Sequence, residues 1–124
     1  MITLTNGKIV ANFSSPHEFT FEDGSILPAV SNSEAERLKV TFHEEIDTST
    51  GDVILDFSLS HEVWEEMNKY YKLWWDHEVN VVFCPLPMII TLHKTGYNVK
   101  VSPFRAVRIT DRIKKLVSIN YQCI

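Results

Sequence analysis

The stretch "SHEVWEEMNKYYKLWWDHE", residues 60–78, marks the point where the sequence pattern changes from strand to helix. Its apolar residues recur every three or four positions, so at about 100° per residue they occupy an arc of roughly 120°. They are Val63, Trp64, Met67, Tyr70, Tyr71 and Trp74. Ser60, the first residue of the stretch, is a good N-cap residue, and Glu62 suits the positive end of the helix dipole. The spacing predicts one long amphipathic helix.

Two segments before this helix alternate with a period of two, which is typical of strands. In "HEFTFEDGSILP", residues 17–28, Phe19 and Phe21 share one face, and the Asp23-Gly24 pair supplies the turn of a hairpin. In "RLKVTFHEEIDTSTGDVILDFSLS", residues 37–60, apolar residues alternate on both sides of a turn that ends at Gly51. The second segment therefore predicts a hairpin with one buried face.

The chain after the helix returns to short apolar runs. "VNVVF" and "MIITLH" are predicted to be strands joined around Pro85 and Pro87, and a turn at Thr95-Gly96 leads into a further strand, "YNVKV". No repeat or linker divides the chain, so residues 1–124 form one domain. The predicted fold class is α+β: a mainly antiparallel sheet of short hairpins, one long amphipathic helix and a C-terminal helix.

The C-terminal helix depends on "SPFRAVRITDRIKK", residues 102–115, which contains three of the four arginines: Arg105, Arg108 and Arg112. As a helix from about residue 103 to 117, the stretch has an apolar stripe with all three guanidinium groups on an adjoining stripe. As a strand, it would point Arg105 to the face opposite Arg108 and Arg112. The apolar spacing favours the helix, although residues 116–122 also fit a closing strand.

Composition restricts the class of partner. Sixteen acidic residues against twelve Lys and Arg argue against binding long nucleic acid, whose phosphates need a basic surface. Two or three arginines nevertheless suffice to hold a small phosphorylated ligand by paired hydrogen bonds. The most apolar segment is broken by prolines, so no membrane span is predicted, and no secretory leader is seen. Two distant cysteines fit a reducing cytoplasm.

The candidate binding residues all have an alternative structural interpretation. The arginines fit either a phosphate site or a solvated helix face paired with Asp111. Phe83 and Phe104 fit either a base-stacking site or the core. His17, in a turn after Pro16, fits either a ligand donor or a residue that orders the turn. No motif for metal ligation, nucleophilic catalysis or cofactor binding is present, so the sequence predicts a binder without metal, cofactor or catalytic residues.

The "SPH…DGSILPAVS" opening, the Trp-rich helix and the arginine stretch together resemble the Thoeris anti-defence proteins of the first type, the sponges of phage and prophage origin. The resemblance runs over most of the chain. It implies a protein of the bacterial cytoplasm that sequesters a cyclic ADP-ribose isomer, the signal of a TIR-domain enzyme, without cleaving it. Family members are α/β proteins that form dimers and larger assemblies with signal pockets at subunit interfaces. Some also capture cyclic oligonucleotides at a separate site.

The resemblance also implies residue roles. Arg108 and Arg112, with Arg105 third, would hold the diphosphate, and Phe83 or Phe104 would stack on the adenine. Ribose hydroxyls would be reached by Asn12, His17 or Asn98. Two other functions remain open from the sequence: a hydrolase that degrades the signal, and an inhibitor that binds a host defence enzyme through an acidic, aromatic surface.

Overall fold

A computed structural model of the protein describes residues 1–110 and 113–124, apart from the side chain of Leu55. The fold is mixed α+β, which confirms the predicted class. Its central sheet has four strands in the spatial order β1 (Ile2–Thr3), β2 (Ile9–Asn12), β7 (Val81–Phe83) and β8 (Phe104–Arg105). Strand β1 is antiparallel to β2, but β2, β7 and β8 run parallel. The carboxyl ends of these three strands therefore lie along one edge of the sheet.

The predicted amphipathic helix is confirmed as α2 (His61–Trp75). The Ser60 hydroxyl caps it by accepting a 3.3 Å hydrogen bond from the Val63 amide. Val63 and Met67 are fully buried on its inner face. Tyr71 packs edge-on against Phe104 of β8, with ring centroids 5.9 Å apart. The apolar arc thus covers the central sheet, as the spacing predicts.

The segment "MIITLH" is part of a helix, α3 (Leu86–Lys94), and the prediction of a strand there was wrong. Parallel strands such as β7 and β8 need a crossover connection, and α3 supplies it. Pro87 lies in the first turn, where its missing N–H costs nothing, and Met88, Ile89 and Leu92 are buried. The following "YNVKV" is also not a strand, because Val99–Val101 form a 3-10 helix. Short apolar runs do not distinguish a helix from a strand by period alone.

The first predicted hairpin is confirmed as β3 (Phe19–Phe21) and β4 (Ile26–Leu27). Gly24 has φ of +86° in the turn, a conformation that glycine adopts without steric cost. Strand β10 (Leu116–Val117) pairs with β3 in parallel. With β2–β7 and β7–β8, this is a third parallel pairing, so the sheets are less antiparallel than predicted.

The second predicted hairpin also forms, from β5 (Thr41–Ile46) and β6 (Val53–Ser58), which pair in antiparallel. The first strand starts later than the segment 37–60 suggests, because a short helix, α1 (Asn32–Arg37), precedes it and Leu38 caps that helix. The predicted buried face was also wrong, since every residue of β5 is exposed.

The predicted C-terminal helix was wrong as well. Phe104–Arg105 form β8, and Val107–Arg108 form β9, which pairs antiparallel with β11 (Gln122–Cys123). The pairing partners explain the difference, because the Pro103 and Arg105 carbonyls accept hydrogen bonds from the Val82 and Cys84 amides at 2.7 and 2.8 Å. These tertiary hydrogen bonds override the helical spacing of the apolar residues.

Candidate functional site

A loop at the carboxyl end of β2, residues 13–18, forms one wall of a surface cleft. The cleft has a volume of about 900 Å³. Its lining residues are Ser15, Pro16, His17, Glu18, Phe19, Ala29, Ile109 and Lys115. A smaller hollow of about 290 Å³ shares Ser15, Pro16 and Phe19 with it and reaches the ends of β7 and β8. In sheets with parallel strands, this carboxyl edge is where ligands commonly bind.

Asn12 shapes this loop. Its amide nitrogen donates to the carbonyls of Ser15 and Pro28 at 2.9 and 3.0 Å, and its Oδ1 accepts from the Ser15 amide at 2.9 Å. The side chain is buried, with 7% exposed. The structure therefore gives Asn12 a role in holding the loop, and both amide protons are already used within the fold.

His17 lines the cleft, as a ligand-binding residue must. Its backbone is fixed by Ser15, whose hydroxyl accepts from the His17 amide at 3.2 Å and donates to the His17 carbonyl at 3.1 Å. Because the main chain is held, the exposed imidazole is presented from a fixed point of the wall. The prediction of a turn at this residue and the prediction of a ligand donor are both compatible with this placement.

Charge in the cleft comes from two residues besides His17. Lys115 brings an ammonium group from the segment that precedes β10, and Glu18 brings a carboxylate from the loop. Lys115 adopts φ of +54°, which is uncommon for a residue with a side chain. A lysine and a histidine beside one carboxylate suit a ligand that carries both phosphate oxygens and hydroxyl groups.

Phe83 lies beneath the smaller hollow with 2% of its surface exposed. Its ring packs edge-on against Phe19, with ring centroids 5.5 Å apart. Phe19 is half-buried and lines both the cleft and the hollow. The accessible aromatic surface of the site thus belongs to Phe19, with Phe83 supporting it from the core.

Phe104 lies inside the core and has no exposed surface. It packs edge-on against Phe13 at 6.2 Å as well as against Tyr71. A bound base would reach this ring only if the core opened. The structure favours the alternative interpretation of Phe104, as a packing residue.

Arg105 turns back along its own strand. Its guanidinium donates to the carbonyls of Val99, Lys100 and Phe104, the last two at 2.7 and 2.8 Å. These bonds tie β8 to the 3-10 helix at Val99–Val101. Arg105 is half-buried and does not line the cleft. Its guanidinium N–H groups are therefore largely occupied by hydrogen bonds to backbone carbonyls.

Arg108 is exposed on β9. The preceding residue, Val107, packs against the core and lines the smaller hollow, so Arg108 points to the other face of the strand. Arg112 lies outside the described residues. Arg105 and Arg108 do not share one helix face as predicted, because each lies in a short strand.

Asn98 lies away from the cleft, before the amino end of β8. Its Oδ1 accepts from the Lys100 amide at 3.1 Å and caps the 3-10 helix. The cleft is at the opposite, carboxyl edge of the same sheet. Within one copy of the chain, Asn98 does not join the other candidate residues.

Sequence reasoning missed Phe19, Glu18, Ile109 and Lys115 as cleft residues. The loop that follows β2 would have indicated the cleft residues only if β2, β7 and β8 had been known to run parallel. The parallel pairing depends on long-range contacts that the local pattern does not encode. The place of Lys115 in the cleft results from the parallel pairing of β10 with β3.

Neither cysteine points to catalysis. Burial strongly raises the pKa of the Cys84 thiol, so the reactive thiolate is disfavoured. Burial also raises the pKa of Cys123, although this residue is exposed at the chain end. Among the residues that the structure describes, no cluster of three His, Cys, Asp or Glu side chains has the geometry of a metal site.

Comparisons with family models, curated proteins and solved structures give no match to this chain. In the described ranges, none of the helices combines the length and apolar character that crossing a bilayer requires.

Proposed function

We propose that the protein binds a cyclic ADP-ribose isomer in the cleft beside His17 and holds it without cleaving it. The signal would be withdrawn from a defence effector in the bacterial cytoplasm, as in the sponge proteins that the sequence resembles. The observation that carries the proposal is the cleft of about 900 Å³ at the carboxyl edge of the parallel strands. This volume lies in the range of pockets that enclose small-molecule ligands.

The chemistry of the cleft supports a nucleotide ligand. Lys115 and His17 offer donors for phosphate oxygens, and the Glu18 carboxylate offers an acceptor for ribose hydroxyls. The half-buried ring of Phe19 offers a face or edge for the base. A sponge needs nanomolar affinity, about −12 kcal/mol, to compete with a sensitive effector. An open cleft lined by a single lysine would by itself contribute only part of this binding free energy.

A homo-oligomer, a dimer or an assembly of dimers, would supply what the single cleft lacks. Arg108 is exposed and points away from the cleft of its own copy. Across a subunit contact, its guanidinium would be available to a neighbour's ligand, where removal of water strengthens arginine–phosphate bonds. The proposal therefore keeps Arg108 and Arg112 as phosphate ligands, acting between copies.

Isothermal titration calorimetry with a cyclic ADP-ribose isomer tests the site. We expect Lys115→Ala to weaken binding about tenfold or more, because it removes a charge-assisted hydrogen bond to phosphate. Lys100→Ala is the matched control, since Lys100 is an exposed lysine outside the cleft, and it should bind as the wild type does. Equal affinity of Lys115→Ala and the wild type would contradict the placement of the ligand in this cleft.

The arginines need a separate test. We expect Arg108→Ala and Arg112→Ala to abolish the rise in melting temperature that the ligand produces, while the melting temperature without ligand stays within a few degrees. Light scattering should find the wild type as a dimer or larger assembly. A monomer that binds the ligand equally well with and without Arg108 would show that the arginines do not act across a subunit contact.

A further inference from the structure

The β5–β6 hairpin concentrates the negative charge of the protein. The chain has sixteen acidic and twelve basic residues, excluding histidine. Residues 41–58 contain five acidic side chains, Glu44, Glu45, Asp47, Asp52 and Asp56, and no lysine or arginine. The remainder therefore has eleven acidic and twelve basic residues, so the excess negative charge of the chain lies in this hairpin.

One face of the same hairpin is apolar and exposed. The register places Phe42 opposite Phe57 and Ile46 opposite Val53, and these directly opposed residues point to the same side. Ile46 and Val53 are 70% and 59% exposed, and Phe42 is 49% exposed. The Glu44 position is also on this face, between Phe42 and Ile46. We refer to Phe42, Ile46, Val53 and Phe57 as the apolar face.

The apolar face continues into a groove at the base of the hairpin. The groove has a volume of about 440 Å³, and Phe42 and Phe57 belong to both surfaces. Its other apolar walls come from Leu38, Val40, Pro85 and Pro87. A partner that lies along the hairpin would thus find a pocket for one large apolar side chain at the base.

The hairpin has little support from the body of the protein. Among the described residues, β5 and β6 pair only with each other. The ammonium group of Lys94 in α3 lies 5.8 Å from the centre of the Phe57 ring, at the base of the hairpin. Two-stranded sheets are at best marginally stable in water unless another element covers them. An exposed apolar face that is continuous with a groove is typical of a protein-binding surface.

The charge selects the partner. A second copy placed face to face would bring its own Glu44 and its own acidic tip, Asp47 and Asp52, to the contact, and like charges across an interface oppose association. A basic partner would instead pair with Glu44 and with the acidic tip at Asp47 and Asp52. Six-residue strands span about 20 Å, which a helix of roughly thirteen residues matches.

We propose that the apolar face and its groove dock a basic amphipathic helix of another protein, with one large apolar side chain in the groove and lysines or arginines facing the acidic hairpin. This is the helix-in-groove mode of recognition, with apolar anchors at every third or fourth residue. The inference is independent of the proposed nucleotide site, which shares only Pro16 with the groove.

The test uses a fluorescent synthetic peptide of about fourteen residues, with leucines at helical spacing and lysines and alanines at the other positions. The control peptide has the same composition in an order that spreads the leucines around the helix. Fluorescence anisotropy at about 150 mM salt should give a dissociation constant on the order of 100 μM or tighter for the amphipathic peptide. The control peptide should bind at least about tenfold more weakly, because its apolar side chains do not form one face.

Variants identify the surface. Glu44→Lys should weaken peptide binding about fivefold or more by reversing a charge on the apolar face, and Ile46→Asn should weaken it about tenfold by removing apolar contact. Glu78→Lys makes the same charge change outside the hairpin and should leave binding unchanged. Both hairpin positions are exposed, so these substitutions should not unfold the protein.

Three results would overturn the inference. Equal binding of the two peptides would indicate plain charge attraction, and absence of binding would indicate that the face takes no helix. The third is an oligomer, measured by light scattering, that becomes a monomer in Ile46→Asn, because a second copy would then cover the face. Conversely, an oligomer that persists in Ile46→Asn would leave the apolar face available to the partner.

Discussion

At the scale of single residues, Asp23 illustrates how a turn is fixed by one carboxylate. Its Oδ1 accepts a hydrogen bond from the Ser25 amide at 2.9 Å, and its Oδ2 accepts from the amide and hydroxyl of Thr5 at 3.1 and 2.9 Å. These bonds join the β3–β4 turn to the β1–β2 turn. The backbone hydrogen bond from Ser25, followed by that from Thr5, lowers the pKa of Asp23 from its ordinary value of 3.8 to about 2.

The lowered pKa predicts a pH-dependent contribution of Asp23 to stability. A carboxyl group whose pKa is lower in the folded state stabilises the fold above its unfolded pKa, near 3.8, and loses this effect as the pH falls towards 2. We therefore expect Asp23→Asn to lower the melting temperature at pH 7, with the difference from the wild type shrinking between pH 4 and pH 2. Circular dichroism melts across this range measure it. A difference that stays constant down to pH 2 would contradict the assignment.

The candidate site was only partly predictable residue by residue. Proximity to Pro16 singled out His17, which does line the cleft. Asn12 and Arg105 were singled out by their chemistry, but the fold uses their donors to satisfy backbone carbonyls. A sequence does not show which polar side chains will be used in this way, because the carbonyls that need partners are created by the tertiary fold.

At the scale of elements, the two longer helices end in the same backbone motif but place different residues at its left-handed position. Both end in a Schellman motif, in which the amides of Glu78 and Tyr97 bond to the carbonyls of Leu73 and Leu92 at 2.8 and 3.0 Å. The left-handed position is taken by His77 after α2, with φ of 59°, and by Gly96 after α3, with φ of 83°. Glycine is favoured there because it has no Cβ to clash with the backbone.

This difference predicts opposite effects of two substitutions. His77→Gly should raise the free energy of unfolding by about 0.5–1 kcal/mol, because it relieves the left-handed strain of a residue with a side chain. Gly96→Ala should lower the free energy of unfolding by about 1 kcal/mol, because it introduces a side chain at a left-handed position. Urea denaturation of both variants measures the change. Destabilisation by His77→Gly would mean that the imidazole contributes more through its contacts with neighbouring residues than its backbone conformation costs.

The exposed hairpin predicts uneven protection across the sheets. Amides of β6 that bond to β5 should exchange with solvent at least about tenfold faster than those of β7, because the hairpin opens without disturbing the core. Hydrogen exchange followed by NMR compares the two strands in the protein alone. Similar protection of β6 and β7 would show that the hairpin is covered, either by the body or by a second copy.

Elements with a long or strongly alternating pattern were predictable, and the short ones were not. The helix α2 and both hairpins follow directly from apolar spacing and turn residues. The helix α3 was predicted to be a strand, and the strand β8 was predicted to be part of a helix. Both are short and lie next to a proline, so the local pattern does not decide between the two types. Their types are decided by the parallel pairing of β7 with β8, which needs a crossover between the strands.

At the scale of the whole molecule, one buried ring links the helices to the central sheet. Phe104 contacts Phe13 from the loop after β2 and Tyr71 from α2, and it belongs to the larger of two core clusters. The smaller cluster, around Phe21 and Phe83, lies beneath the cleft. Loss of the Phe104 ring would therefore affect the packing of several elements together.

We expect Phe104→Ala to reduce the free energy of unfolding by about 3–5 kcal/mol, because it leaves a cavity in a closely packed core. Phe104→Leu should cost less, about 1–2 kcal/mol, since it keeps most of the volume. In Phe104→Leu the affinity for the cyclic nucleotide should equal that of the wild type, as measured by titration calorimetry. A large loss of affinity with the fold intact would instead support the base-stacking prediction for this ring.

The proposed function requires the protein to hold a cyclic ADP-ribose isomer and leave it intact. The most direct measurement is to incubate the protein with the isomer, separate the complex from free ligand, denature it by heat and identify the released molecule by mass spectrometry. We expect a stoichiometric amount of the unchanged cyclic isomer, even after many hours. Recovery of linear ADP-ribose, or of no nucleotide at all, would contradict it.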